Sequence, residues 1–174
     1  MLWIKIAACI MIFIPSTIIG IMIGKKYSNR VENITSMINC LLILDTEIIH
    51  LSNPINVAFK NVHERSNNKV SNIFLNTIQN LNQDRNSNLY NAFKNTLIIE
   101  RSNYNFTKED EKILLSLAKV IGVTDSEEQK KHFDTAIEQL KIQRKQAIDE
   151  SKKNEKLYKK LGIVFGLLII LILI

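Results

Sequence analysis

The residue types that most often perform chemistry are few in this chain and lie far apart. The three histidines are His50, His63 and His132, and the two cysteines are Cys9 and Cys40. None of them has a second metal ligand at the short spacing that metal-binding motifs use. The sequence also lacks a Gly-rich phosphate loop, a His-Glu-x-x-His pair and a Gly-x-Ser-x-Gly turn. These absences predict a protein that is not an enzyme and that uses no metal or cofactor.

Two carboxylates, those of Asp45 and Glu47, are the nearest approach to a paired acid–base site. Residues two apart project from different faces of a helix, so the two groups would not meet at one substrate. This geometry also argues against an enzyme. The role of these residues therefore depends on the helices that position them.

The two ends of the chain are almost continuously apolar. The first apolar segment spans residues 2–23 with a single charge, and the last spans residues 161–174 with apolar residues and glycine alone. At about 1.5 Å per residue, the first segment can cross a hydrocarbon core about 30 Å thick. The second comes close once the residues just before it are included, with their lysines reaching up to the headgroups. We therefore predict two membrane anchors, residues 1–24 and 157–174.

A cleaved signal peptide is the alternative for the first segment, because Lys5 and the apolar run behind it fit one. The stretch is long for a signal peptide, however, and no Ala-x-Ala-like pair precedes Lys25. A membrane helix tolerates Pro15, since Ser16 and Thr17 can help to satisfy the backbone groups that proline leaves unbonded. These features favour an anchor that is not cleaved.

Basic residues flank both apolar segments on the side of the middle of the chain. Positive flanks favour the cytoplasm, and lysines beside a membrane attract anionic lipid. We therefore predict that the central domain, residues 25–156, is cytoplasmic, and that membrane lipid rather than nucleic acid accounts for the net charge of +6. The residues expected at this membrane interface are Lys25, Lys26, Arg30, Lys156, Lys159 and Lys160.

Each apolar segment also contains two glycines four residues apart. This spacing places two flat patches on one helix face, where another helix backbone can approach closely. Antiparallel anchors would bring the two pairs level, although glycine is common in membrane helices and the spacing also arises by chance. The candidates for helix packing are Gly20, Gly24, Gly162 and Gly166.

The middle of the chain shows short apolar stripes at helical spacing, separated by polar turns. The stripe from Val31 to Leu51 predicts a helix that continues directly from the first anchor. The polar stretches predicted as caps, loops or connectors are Asn53 with Pro54, then 63–69, 82–88 and 100–105. Together these patterns predict an all-α protein, an antiparallel bundle of about five or six helices between two transmembrane helices.

The second half of the bundle carries the clearest local signals. Thr107 and Asp110 have the spacing of a capping box, with Asp where Glu is usual. Gly122 fits the left-handed residue that ends a helix, and Thr124 or Asp125 is predicted to cap the last helix. That helix is predicted to continue as a charged stalk into the second anchor.

Several segments, taken in their order and spacing, resemble the stage III sporulation protein AB family of endospore-forming bacteria. Two early segments look like that family's Leu-Glu-Thr-Glu-Ile and Thr-Pro-Leu, with Asp45 and Asn53 as departures. The segments that carry the resemblance are Leu44–Ile48, Asn53–Ile55, Phe106–Asp110, Leu114–Gly122 with Asp125 and Gln129, and Lys152–Gly162 running into the apolar tail. Residues 63–105 match in hydropathy more than in identity.

The resemblance implies a subunit of the channel complex between the mother cell and the engulfed forespore, located in the mother-cell membrane. The family is similar to one helical domain of the F-type inner-membrane platform protein of type II secretion and type IV pilus machines. The resemblance implies partners among the other stage III channel subunits and coupling to a hexameric secretion-type ATPase. A homo-oligomer is a separate expectation, in which the glycine pairs would join helices of two chains. It supplies no catalytic residue, and we take Asp45 and Glu47 as partner-binding candidates.

The alternative is a tail-anchored coiled-coil tether or scaffold protein, with a long stalk and little globular core. Short apolar stripes broken by turns favour a packed bundle over a single long stalk. A membrane-bound enzyme is the third interpretation, and the missing motifs argue against it.

Overall fold

A computed structural model describes residues 2–83 and 88–173, with the backbone alone for residues 2–10, 102, 172 and 173. Within these ranges all regular structure is helical and no strand occurs, so the prediction of an all-α fold is confirmed. A π-helix at Thr46–His50 and a 3-10 helix at Lys69–Ser71 supplement the α-helices. The α-helices are α1 (Leu2–Asp45), α2 (Ile55–Ser66), α3 (Asn72–Gln83), α4 (Leu89–Ile99), α5 (Arg101–Tyr104), α6 (Lys108–Ala118) and α7 (Ser126–Leu173).

The two predicted anchors belong to the first and last helices. Over the residues that the structure describes, no helix combines the length and the apolar character needed to cross a membrane. The predicted anchor at residues 1–24 includes the side chains of residues 1–10, and that at residues 157–174 includes those of 172–174. Both sets lie outside the described side chains.

The chain divides into two compact units. The hairpin unit consists of Met1–Val31 and Gln146–Ile174, and the bundle unit consists of Glu32–Lys145. Helices α1 and α7 contribute to both units. The domain boundaries expected at residues 24–25 and 156–157 both fall inside the hairpin unit.

In the hairpin unit, helix α1 continues through Pro15 without interruption. Proline removes one backbone donor and therefore leaves a carbonyl of the preceding turn unbonded. Thr17 donates its hydroxyl to the carbonyl of Phe13 at 3.0 Å. Ser16 instead donates to the carbonyl of Gly162 on α7, at 2.8 Å. Of the two hydroxyls expected to satisfy α1 locally, one binds within its own helix and the other joins the two helices.

The bundle unit has a dense apolar core built from stripes at helical spacing. Phe74 lies at its centre, edge-on to Phe59 with ring centroids 5.2 Å apart and tilted against Phe93 at 6.1 Å. Rings in these orientations attract one another in addition to the effect of burial. A core of this kind contradicts the tether alternative, which required little globular packing. The core residues from α1 and α7 are Ile34, Met37, Ile38, Leu41, Leu44, Phe133, Ile137 and Leu140.

Two local sequence signals in the second half, the capping box and the cap of α7, fold as predicted, and the third does so in part. The Thr107 hydroxyl accepts from the Asp110 amide at 3.3 Å, and the Asp110 carboxylate accepts from the Thr107 amide at 2.8 Å. The capping box is thereby complete. Asp125, rather than Thr124, caps α7 by accepting from the amide of Glu128 at 2.8 Å. Gly122 has the predicted left-handed φ of +78°, but α6 ends earlier, at Ala118 with Lys119 as its C-cap, so Gly122 lies in the turn after the helix and does not end it.

Three local predictions in the first half are wrong or incomplete. Asn53 does not cap α2, because its side chain donates to Glu47 instead and Pro54 occupies the N-cap position. Helix α2 continues to Ser66, so most of the loop predicted at 63–69 is helical. The connector at 100–105 contains the short helix α5. The turn predicted at 82–88 falls mostly outside the described residues.

Substitution of Gly122 by Val should destabilise the bundle unit for two separable reasons. A Cβ at Gly122 would lie 2.7 Å from Cδ1 of Ile55, and φ +78° is strained for any side chain. We expect a loss of at least about 1 kcal/mol in the free energy of unfolding. Thermal unfolding of the full chain in detergent, followed by circular dichroism, measures the loss.

Gly122→Ala in an Ile55→Val background isolates the backbone contribution, because valine lacks the Cδ1 atom that a new Cβ would meet. A residual loss of about 1 kcal/mol should remain in that background. An unchanged melting temperature in both variants would show that the turn at Gly122 contributes nothing to stability.

Candidate helix-packing and partner-binding sites

Gly20 and Gly162 meet at backbone contact in the hairpin unit. A Cβ added to Gly20 would lie 2.6 Å from the carbonyl oxygen of Tyr158 and 2.8 Å from the Cα of Gly162. A Cβ added to Gly162 would lie 2.9 Å from the carbonyl oxygen of Ser16 and 3.0 Å from the Cα of Gly20. Such distances leave no room for a side chain on either helix. These two glycines therefore set the separation between α1 and α7.

The other two glycines of the spaced pairs do not meet each other. Gly24 faces the backbone of Glu155, whose carbonyl oxygen would be 3.1 Å from an added Cβ. Gly166 faces the ring of Phe13, at 2.9 Å. Gly20 and Gly162 therefore meet across the two helices, whereas Gly24 and Gly166 each face a larger residue.

Two polar contacts fix the antiparallel register of the hairpin. Ser16 donates to the carbonyl of Gly162 near the middle, and Arg30 binds Glu150 at 2.9 Å towards the other end. The Arg30 side chain is only 7% exposed. Arg30 was expected to face lipid headgroups with five lysines, but it is buried against α7 instead, because its guanidinium has a carboxylate partner there.

The five lysines predicted at the membrane interface all lie in the hairpin unit. Lys25, Lys26, Lys156 and Lys160 are exposed. Lys159 is half-buried and pairs with Glu155 at 2.8 Å. This ion pair, with further contributions from Ser28 and Lys25, holds the pKa of Glu155 below its ordinary value.

Asp45, the last residue of α1, is buried in the bundle unit and is only 5% exposed. Its Oδ2 accepts from Lys130 on α7 at 2.8 Å, and Lys130 also binds Asp134 at 3.0 Å. The hydrogen bond to Asp45 is the main cause of the raised pKa of Lys130. No group in the described part of the chain donates to Oδ1 of Asp45. Asp45 therefore joins α1 to α7 and is not on the surface where a partner could contact it.

Glu47 lies in the π-helix, and its carboxylate accepts three side-chain hydrogen bonds. Its Oε2 accepts from Asn61 at 2.6 Å and from Asn53 at 2.8 Å, and its Oε1 accepts from Arg65 at 2.7 Å. The side chain is 3% exposed. The hydrogen bond from Asn61, followed by those from Asn53 and Arg65, lowers the pKa of Glu47 below its ordinary value against the opposing effect of burial.

The hydrogen bonds around Glu47 indicate a structural role for this carboxylate rather than a role in proton transfer. A carboxylate that already accepts three hydrogen bonds is a poor general base, since a bound proton would break one of them. Asp45 and Glu47 contact different elements, as their spacing predicted. Within the described residues, no group of three or more His, Cys, Asp or Glu side chains could hold a metal ion.

The partners of Glu47 were missed by sequence reasoning. Asn61 and Arg65 are four apart, so α2 presents them on one face, and this spacing was the available signal. Asn53 was predicted to cap α2. Its position in the sequence gave no indication that its side chain would bind the Glu47 carboxylate instead. These bonds hold the loop that follows the π-helix, because the backbone N–H of Asn53 also donates to the backbone carbonyl of Glu47 at 2.9 Å.

Replacing Glu47 with Gln should cost about 2 kcal/mol in the free energy of unfolding at neutral pH, because an amide cannot accept from three donors. The folded-state pKa is lowered, so the carboxylate stabilises the fold above its unfolded pKa and ceases to do so as pH falls through the folded value. The difference between wild type and variant should therefore shrink below about pH 4.

Chemical denaturation of the full chain in detergent across this pH range measures the difference. Glu64→Gln on α2 is the matched control, because Glu64 is exposed and pairs with its helix neighbour Lys60, at 3.5 Å. Exposed pairs of this kind contribute little. Equal losses in the two variants would contradict a structural role for Glu47.

Comparison with known proteins gives a consistent result across sequence and structure. The family model for stage III sporulation protein AB matches residues 5–174. Stage III sporulation protein AB of Bacillus subtilis (strain 168) is 26% identical over 169 residues, which cover 97% of this chain and 98% of that protein. A solved structure of stage III sporulation protein AB has a TM-score of 0.64 at 20% identity, covering 71% of this chain and 96% of its own. The chain therefore belongs to the stage III sporulation protein AB family.

Proposed function

We propose that this chain is a non-enzymatic platform subunit of the channel complex built between mother cell and forespore during sporulation. The observation that carries the proposal is the match to the family over nearly the full length of both proteins. Membership makes the chain a stage III sporulation protein. The proposal adds that the chain acts in the channel and that it couples a secretion-type ATPase to membrane subunits.

Membrane attachment through the hairpin unit is part of the proposal. Large apolar side chains point outward on both helices of this unit, which is costly in water and favourable in hydrocarbon. Lipid tails are as apolar as leucine, so helices in a bilayer associate through close backbone contact, and Gly20 against Gly162 supplies such contact. The outward apolar residues include Met11, Ile14, Ile18, Ile19, Met22, Val164, Phe165, Leu167, Leu168 and Leu171.

The orientation follows from charge. The lysines that follow the first apolar segment and precede the last favour the cytoplasmic face. Residues 32–145 would then lie in the mother-cell cytoplasm, where an ATPase is available. This placement suits a platform, because the bundle unit would receive force on one side of the membrane and the hairpin would hold it there.

The loop between the π-helix and α2 is the proposed contact for the ATPase. Leu51 in this loop is 55% exposed, and the next residue, Ser52, has a left-handed φ of 50°. The Glu47 bonds to Asn53 hold the loop in this conformation. Glu47 thus acts as a positioning residue, and Asp45 secures the end of α1. The two carboxylates would support partner binding from beneath the surface rather than by contact.

Topology can be tested by cysteine labelling in intact vegetative cells made to express the chain, because a reagent in the medium reaches the outer face of their cell membrane. Gln83→Cys, at an exposed position, should be shielded from a membrane-impermeant thiol reagent in a chain lacking Cys9 and Cys40. Leu2→Cys in the same background is the matched control and should label. Ready labelling of Gln83→Cys before lysis would reverse the orientation and remove the cytoplasmic platform.

Contact with the ATPase can be tested by a photo-crosslinking amino acid at Leu51 in sporulating cells that lack their own copy of the family member. We expect crosslinks to a secretion-type ATPase, reduced several-fold when Glu47→Gln releases the loop. The same probe at Ile142, which is 57% exposed on α7 of the bundle unit, controls for general surface reactivity. Crosslinks from Leu51 to membrane subunits alone, identified by mass spectrometry, would contradict ATPase coupling through this loop.

A further inference from the structure

The net charge of +6 lies entirely in the hairpin unit. Residues 32–145 contain fourteen basic and fourteen acidic residues, whereas the remainder contains nine basic and three acidic residues. Eight of those nine lie in two short segments that we call the cationic band. The cationic band consists of Lys25, Lys26, Arg30, Lys152, Lys153, Lys156, Lys159 and Lys160.

The charges of α7 are compensated in the bundle unit and largely uncompensated in the cationic band. Within residues 126–145, ion pairs three or four apart join oppositely charged neighbours, such as Glu127 with Lys131 at 3.2 Å and Glu138 with Lys141 at 2.6 Å. In the described part of the hairpin unit, ion pairs with acidic residues engage only two of the eight band residues, Arg30 and Lys159.

Lys152, Lys156 and Lys160 form the core of this uncompensated charge. They are exposed and four residues apart, so their ammonium groups share one face of α7. Like charges at this spacing repel, and no acidic side chain among the described residues lies within ion-pair distance of them. The helix therefore carries a repulsion that an anion on this face would relieve.

A shallow groove of about 290 Å³ lies along the same face. It is lined by Ser151, Lys152, Glu155, Lys156 and Lys159. The carboxylate of Glu155 would oppose an anion, but Lys159 pairs with it at 2.8 Å and neutralises it. Two ammonium groups in the groove then remain without a counter-charge.

We propose that the exposed lysines of the cationic band, chiefly Lys152, Lys156 and Lys160, bind the phosphodiester headgroups of anionic phospholipids and select these lipids from a mixed bilayer. The same helix exposes Leu157 by 47% and Leu161 by 37% beside these lysines. A lipid offers a phosphate for the lysines and an acyl chain for the leucines, whereas free phosphate satisfies only the former. The inference rests on the membrane attachment in the proposed function.

The test uses the full chain reconstituted in phosphatidylcholine vesicles, with spin-labelled phosphatidylglycerol or phosphatidylcholine added as the probe. Lipid held at the protein surface gives a motionally restricted signal. Phosphatidylglycerol should associate up to about fivefold more strongly than phosphatidylcholine at low salt. The preference should approach unity near 1 M salt, where charges are screened within about 3 Å.

Variants assign the preference to the band. Lys152→Gln, Lys156→Gln and Lys160→Gln together should remove at least half of it, and the three Lys→Arg changes should retain it. Lys94→Gln, Lys108→Gln and Lys112→Gln together are the matched control, because they remove the same charge from exposed positions of the bundle unit. Equal helix content by circular dichroism shows that all three proteins are folded.

The outcomes separate this inference from the proposed function. Equal association of both lipids with wild type would overturn headgroup selection and leave membrane attachment intact. No restricted signal from either lipid would overturn membrane attachment and the inference with it. A preference abolished by sodium phosphate but not by sodium chloride of equal ionic strength would assign the site to a soluble phosphate compound. A preference lost equally in the control variant would make it a property of net charge alone.

Discussion

The close approach of Gly20 and Gly162 is the contact on which the hairpin unit depends. A Cβ on either residue would lie within 3.0 Å of backbone atoms of the other helix. The helices can therefore come this near only where both residues lack side chains. Once the two helices are this near, Ser16 is close enough to donate to the carbonyl of Gly162, and Arg30 is close enough to bind Glu150. One steric condition thus permits the hydrogen bond and the ion pair that fix the register.

The bundle unit depends on a different kind of contact, a buried carboxylate that joins several elements. Glu47 binds the loop through Asn53 and helix α2 through Asn61 and Arg65. A buried charge is costly unless several donors satisfy it, and three donors do so here. The bonds also connect a π-helix and a residue with positive φ, both of which are locally unfavourable conformations. Hydrogen bonds to other elements therefore hold this segment in its conformation, which its own local sequence does not stabilise.

That difference explains which features could be predicted from the sequence. The capping box at Thr107 and the turn at Gly122 depend on residues within one turn of chain, so their spacing was sufficient. The apolar stripes were also sufficient for the all-α fold, because burial of one helix face is periodic in sequence. Glu47 and Asn53 are bound through contacts between elements, and no local pattern distinguishes an asparagine that caps a helix from one that donates to a carboxylate. Arg30 was misplaced for the same reason, since its buried partner is 120 residues away.

The distribution of charge connects these two units to the proposed work of the protein. A bundle unit with equal numbers of basic and acidic residues has no net attraction to an anionic membrane, and its surface stays available to protein partners. A hairpin unit that holds all the excess positive charge concentrates attraction to lipid where the apolar side chains are exposed. Had the same charge been spread evenly along the chain, the bundle surface would compete with the hairpin for the membrane. The segregation therefore favours a subunit that is held by one part and contacted by other proteins through the rest, as a platform requires.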